Sequence, residues 1–358
     1  MYSRTRSEYR LLMAIRLTLC VIAVTAACSS DEKPSSRAPT EDVMIAVGDR
    51  SVPGTIARPA SAGKHAGAVL LAGSGPTDRN WESPLLSGSN GSGRLVAERL
   101  AAAGVVVLRF DKAGSGKNPP PAGMTFDTYL DEGRAALAVL RARPDVDPAK
   151  LFVLGHSEGG IHAIRLALAD PAGIVGVGFL SSAGRSMAEI IVGQLEAQLR
   201  AATPATVDQQ IATIRDGLAR FVAGETVDGT TLSPLPPVQQ LLVQLTHPAA
   251  AAITRPLIAY DPGIEIAKLR VPVFVFNGGK DVQIDPVLDA KRLADAARAA
   301  GLDVTLHVSP DADHVLKHQP KTLAALRADP MATQNGYNAA DRDLDPDFAR
   351  ALVAWITR

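Results

Sequence analysis

Cysteine is almost missing from this sequence: the 358 residues include only Cys20 and Cys28, both near the amino terminus. A chain cut before Cys28 would keep one cysteine and no internal disulfide, so its stability has to come from packing. Net charge is missing too, with 37 Lys and Arg against 37 Asp and Glu. There is no long block of one sign, which excludes the electrostatic footprint of a nucleic-acid binder or of a protein held on an anionic membrane surface. No tandem repeat occurs at solenoid periods. What is present is apolar material, 46% of residues, enough for one large globular domain or a domain with an insertion.

The amino terminus reads as a targeting segment. Arg4, Arg6, Arg10 and Arg16 precede an apolar run from Leu17 to Ala27, which is too short to span a bilayer. A start at Met13 would leave a shorter basic head of the same kind. Thr25, Ala26 and Ala27 lead into Cys28, a pattern that resembles the lipobox of bacterial lipoproteins, although Thr25 stands where Leu, Val or Ile is usual. The resemblance implies acylation of Cys28 and an exported chain anchored to the cell envelope; a secreted or periplasmic soluble protein is the alternative. The expected layout is a signal peptide over 1–28, a Ser-, Pro- and charge-rich tether over 29–41, and a folded domain over 42–358.

From Val43 short β-branched runs alternate with helical stretches, the α/β pattern of a mostly parallel sheet covered by helices on both faces. A hairpin is expected around Val43 to Val47 and Val52 to Ile56. Buried strands are expected at Ala68 to Ala72, Val105 to Phe110, Leu151 to Leu154, Ile174 to Leu180, Val271 to Phe276 and Val304 to Val308. Helices are expected at Leu95 to Ala103, Phe126 to Ala142, after Ser157, and at Phe348 to Ile356. The interval of about 184–260 contains helical patterns such as Ile211, Ile214, Leu218 and Phe221 and no convincing strand, so it reads as a helical cap insertion.

Directly after Leu151 to Leu154 comes Gly155-His156-Ser157-Glu158-Gly159, a serine with a glycine two positions away on each side. This is the nucleophile-elbow pattern: a serine exposed on a sharp strand-to-helix turn needs neighbours without side chains. Asp281, just beyond Val271 to Phe276, is the candidate acid, with Asp285 as a competitor that looks like a helix cap. His314, beyond Val304 to Val308, is the candidate base and completes the chain order Ser, Asp, His. His318 lies four residues on, so a metal pair on one helix face is the alternative for these two, without a third ligand in sight. His156 is expected to pack rather than react, and His65, His162, His247 and His307 have no partner readable from sequence. An oxyanion needs preorganised donors. The backbone N–H of Glu158 is one candidate, and that of Ser74 or Gly75 in the loop Gly73-Ser74-Gly75-Pro76-Thr77-Asp78-Arg79-Asn80 is the second. Asp78 and Arg79 either pair with each other or line the mouth.

These features, with Arg109-Phe110-Asp111-Lys112 and Gly114-Ser115-Gly116, resemble bacterial α/β-hydrolases near the serine aminopeptidase and dienelactone-hydrolase-like groups, from about Val43 to Arg358. The resemblance implies an α/β-hydrolase fold and an esterase or related acyl hydrolase acting on a small-molecule ester without a cofactor. Dienelactone hydrolases use a cysteine where this chain has Ser157, which argues against lactone chemistry of that kind. Asp111, Gly114 and Gly116 are expected to shape a loop. Three readings stay open: an ester hydrolase, in which Ile191, Leu195 and Leu199 line an acyl pocket or pack inside the cap; a peptidase or amidase; and a non-catalytic binding lipoprotein.

Overall fold

A computed structural model describes residues 38–358 except 340 and 341. The signal-peptide reading, Cys28 and most of the expected tether therefore lie outside the described residues.

Eight strands form one sheet: β1 (Thr40–Val47), β2 (Arg50–Ala57), β3 (His65–Leu71), β4 (Val105–Phe110), β5 (Val146–His156), β6 (Ile174–Leu180), β7 (Val273–Gly278) and β8 (Val304–Ser309). Their order is β1-β2-β4-β3-β5-β6-β7-β8. β1 and β2 form the expected antiparallel hairpin, β2 joins β4 antiparallel, and every pair from β4 to β8 is parallel. The fold is thus the expected α/β-hydrolase sheet. One boundary moves: the tether was expected to run to residue 41, but Thr40 and Glu41 already pair with Ala57 and Ile56. Polar residues suit this edge strand because Glu41 takes ion pairs from Arg58 and Arg143.

The helices are α1 (Ser92–Ala102), α2 (Thr128–Arg141), α3 (Gly159–Ala169), α4 (Met187–Ala202), α5 (Val207–Val222), α6 (Pro236–Thr246), α7 (Ala251–Ala259), α8 (Pro262–Glu265), α9 (Arg292–Ala299), α10 (Leu323–Ala328), α11 (Pro330–Asn335) and α12 (Pro346–Ile356). Side chains alternate across the pleat, which splits the core in two. Val69, Val106, Leu108, Val153 and Val275 face α2, α3 and α9 through residues such as Leu137, Ile164 and Leu293. Leu70, Val107, Leu154, Phe274 and Phe276 face α1 and α12 through Leu100, Phe348 and Trp355.

The expected helical interval is helical, with no strand among its described residues. Ile211, Ile214, Leu218 and Phe221 lie on one buried face of α5 and join Ile191, Leu195 and Leu199 of α4 in a separate apolar cluster. An ion pair between buried Asp289 and partly buried Arg185 pins the entry to this segment. The Asp289 carboxylate accepts the Gly184 and Arg185 amides at 3.0 and 3.1 Å and the Arg185 guanidinium at 2.8 Å.

Candidate active site

The sheet order places β3 beside both β4 and β5, and the connections leaving β3 and β5 part to opposite faces: α1 packs on one side and α3 on the other. Crevices at the carboxyl ends of strands at such a switch point are where open α/β sheets bind ligands. Leu71 pairs with Gly155, which sets the loop after β3 against the turn after β5.

That turn has the elbow geometry. Ser157 has φ +54°, a left-handed conformation rarely adopted by a residue with a Cβ, and its amide is tied to the Leu180 carbonyl at 3.0 Å. A Cβ on Gly155 would lie 2.2 Å from the Gly159 carbonyl oxygen, and one on Gly159 would lie 2.4 Å from the Leu71 carbonyl oxygen. Both obstacles are backbone, so no rotamer change relieves them. Gly155→Ala is therefore expected to destabilise the protein by about 3 kcal/mol, the upper end of the usual overpacking cost, read as a lowered urea midpoint. A wild-type midpoint would mean that the turn is looser than described.

Asp281 lies in the turn after β7 and is 3% exposed. The turn is held against the β8 side by Gly279 N–H to Ser309 at 2.7 Å and Lys280 N–H to Ala312 at 2.9 Å. Inside it, the Asn277 amide donates to the Gly278 and Ile284 carbonyls, both at 3.1 Å. Asp281 Oδ1 accepts the Gln283 and Ile284 amides at 2.8 and 3.0 Å, and Oδ2 lies 2.9 Å from His314 Nδ1. A carboxylate oxygen only accepts, so Nδ1 is the donor in this pair, and the neutral ring in that tautomer has its lone pair on Nε2. Asp285 caps the short π-helical turn Pro286–Lys291 through the Val287 and Leu288 amides, as the sequence suggested.

His314 follows β8 in an irregular turn stabilised by buried Asp313, which accepts the Val315 amide at 3.1 Å and Arg342 at 2.5 Å. Because this stretch is not helical, His314 and His318 share no helix face, which corrects the metal-pair alternative. His314 faces Asp281, whereas His318 lies 3.7 Å from Asp345.

Ser157 and His314 line one cavity of about 310 Å³, with Ser74 and Gly75 on its wall. No hydrogen bond joins the Ser157 hydroxyl to the imidazole; contacts of this kind often tighten only when substrate binds. Among the described residues, the amides of Ser74, Gly75 and Glu158 donate to no protein acceptor, which leaves them available to an external oxygen. His156 stacks on Trp81 at 4.8 Å, and its Nε2 lies 2.8 Å from the His314 carbonyl. Burial and the neighbouring His314 push His156 down to about 3. It is therefore neutral near pH 7 and donates from Nε2 to that carbonyl.

The rest of the wall was not foreseen. It comes from Trp81, Leu85 and Leu86, from Gln283, from Gln334 near the end of α11, and from Tyr337 and Asn338 between α11 and α12. Ile191, Leu195 and Leu199 pack inside their own helical cluster and do not line this cavity. Asp78 and Arg79 do not pair with each other: Arg79 grips Asp111 at 2.9 Å, while Asp78 accepts the Asn80 and Glu82 amides. Asp111 and Gly116 shape their loop as expected, since a Cβ at Gly116 would strike the Asp111 carboxylate at 2.4 Å.

The chain is 26% identical to the esterase EstD of Thermotoga maritima, over 65% of this chain and 50% of that protein. It is 29% identical to a putative esterase, NocK, of Nocardia uniformis subsp. tsuyamanensis, over 45% of this chain and 54% of that protein. It thus spans about half the length of the curated relatives it matches. Among solved structures, a proline iminopeptidase of Mycobacterium smegmatis superposes with a TM-score of 0.52 at 19% identity, over 88% of this chain and 98% of that one, a likeness of fold. The sequence profile of the alpha/beta hydrolase family matches residues 68–326, and the chain belongs to that family.

Proposed function

We propose that the protein is a serine hydrolase that cleaves carboxylic esters through an acyl-enzyme on Ser157, with His314 as base and Asp281 as the orienting acid. The observation that carries this reading is the buried Asp281 carboxylate on His314 Nδ1 at 2.9 Å, with Ser157 on a left-handed turn in the same cavity. The esterase names of both curated relatives support it.

In this mechanism Ser157 Oγ attacks the ester carbonyl carbon while its proton passes to His314 Nε2, and Asp281 stabilises the imidazolium. The carbonyl electron pair moves onto oxygen, which the free amides of Glu158 and of Ser74 or Gly75 receive. Collapse expels the alkoxide, which takes the proton from His314. Water then repeats the sequence: it gives its proton to His314, attacks the acyl carbon and releases the acid and Ser157.

The wall favours esters over peptides. Its described residues include apolar Pro76, Trp81, Leu85, Leu86 and Val315 and neutral polar groups, and none is a carboxylate that could pair with the ammonium of a peptide amino terminus. Nitrophenyl esters of increasing acyl length, assayed beside aminoacyl anilides, test this. Ester turnover at least about 100-fold above anilide turnover is expected, and preferential anilide cleavage would overturn the ester reading in favour of a peptidase.

A further inference from the structure

Beneath the loop after β3 lies a cluster of buried groups that the proposed mechanism leaves unused. The Lys112 side chain runs under this loop, and its Nζ donates to the Gly73 carbonyl at 2.5 Å. The Tyr129 hydroxyl donates to the preceding carbonyl, Ala72, at 3.2 Å, and the lysine ammonium sits 5.4 Å from the centre of the Tyr129 ring. Lys112 is 7% exposed and Glu132 is fully buried. Glu132 is committed to the Ala113 amide, Asn118 and Arg50. Glu158, the residue after the candidate nucleophile, turns its carboxylate inward to within 3.6 Å of His162 Nε2.

The carbonyl that Lys112 holds belongs to the Gly73–Ser74 peptide. In a trans peptide the C=O and N–H point in opposite directions in one plane, so a donor on the Gly73 oxygen also sets the direction of the Ser74 N–H. That N–H has no protein acceptor among the described residues, and Ser74 lines the cavity containing Ser157. The fit is tight: a Cβ on Gly73 would lie 3.1 Å from Ser157 Cβ. A cation on the carbonyl side also polarises the peptide and strengthens its N–H as a donor.

We propose that Lys112 is a positioning residue for the oxyanion hole, holding the Gly73 carbonyl from beneath so that the Ser74 N–H meets the oxygen of a substrate carbonyl at Ser157. The inference rests on the reading of Ser157 as nucleophile and selects Ser74 as the second donor. Charge on Lys112 makes the arrangement sensitive to pH. Burial lowers its pKa from the ordinary lysine value, while Glu158 from the elbow and Glu132 from α2 raise it, leaving it below 10.5. The other groups facing it are His162 from α3, which burial lowers, and Tyr129 from α2, which burial raises well above 10. Lys112 therefore loses its proton at a lower pH than an ordinary lysine.

Lys112→Met keeps the apolar stem and removes the charge; it is assayed on a nitrophenyl ester beside Ser157→Ala. Its kcat is expected to fall on the order of 10- to 100-fold with KM within about two-fold of wild type. Affinity for phenylboronic acid, whose tetrahedral serine adduct places an oxygen in the same hole, is expected to fall by a similar factor. The wild-type kcat is expected to decline with rising pH before an ordinary lysine titrates, and Lys112→Met to lack that decline. Unchanged kcat, or a lower kcat with unchanged boronate affinity, would overturn the inference. If Lys112→Met does not fold, a wild-type kcat profile flat up to ordinary lysine titration overturns it. An active Ser157→Ala protein would overturn the nucleophile reading instead.

Discussion

Ser157→Ala is expected to lower ester turnover by about 10⁶-fold, the scale on which a triad nucleophile acts, and to leave the fold in place. The substitution removes a hydroxyl that makes no hydrogen bond to another described residue and leaves the backbone ties of the turn, including the Ser157 amide on Leu180. A Cβ is present in both residues, so the left-handed backbone at φ +54° is no more strained in the variant. Measured kcat should collapse while the melting temperature stays within about 2 °C, since surface-like changes without a lost partner fall within about 0.5 kcal/mol. Retention of most of the activity would remove Ser157 from the chemistry.

The second large effect is Asp281→Asn, for which kcat is expected to fall by about 10⁴-fold with little change in KM. Oδ1 accepts the Gln283 and Ile284 amides, so the amide oxygen of asparagine must occupy that position and its NH₂ must face His314. His314 Nδ1 then has to accept, the ring proton moves to Nε2, and the imidazole can no longer take a proton from Ser157. A kcat within tenfold of wild type would mean that the contact between Asp281 and His314 does not orient the base.

The sheet was legible because its strands are short apolar runs, and those buried on both faces leave little choice of boundary: β4 and β6 occupy the expected residues. The elbow was legible for a different reason, since its glycines are demanded by backbone contacts that any side chain would violate. Asp281 and His314 could be picked by their position after strands, and the structure brings them into contact. The cavity wall was not legible. Leu85 and Leu86 sit in a loop with no period, and Tyr337 follows two helices of six residues each, too short to print an apolar stripe. Trp81 adopts φ +63°, a conformation that its residue type argues against. The groups under the candidate site escaped because each is distant in sequence from its partner: Lys112 meets Gly73, and Tyr129 meets Ala72. His162 was readable and missed, since Glu158 stands four residues before it.

The most direct test of the central claim is covalent. The protein is incubated with diethyl nitrophenyl phosphate, which transfers its phosphoryl group to an activated serine and releases nitrophenolate, and the product is weighed by intact mass and mapped by peptide. One diethylphosphoryl group per chain is expected, carried by the peptide containing Ser157 and missing from Ser157→Ala. An unmodified protein, or the same label on Ser157→Ala, would contradict it.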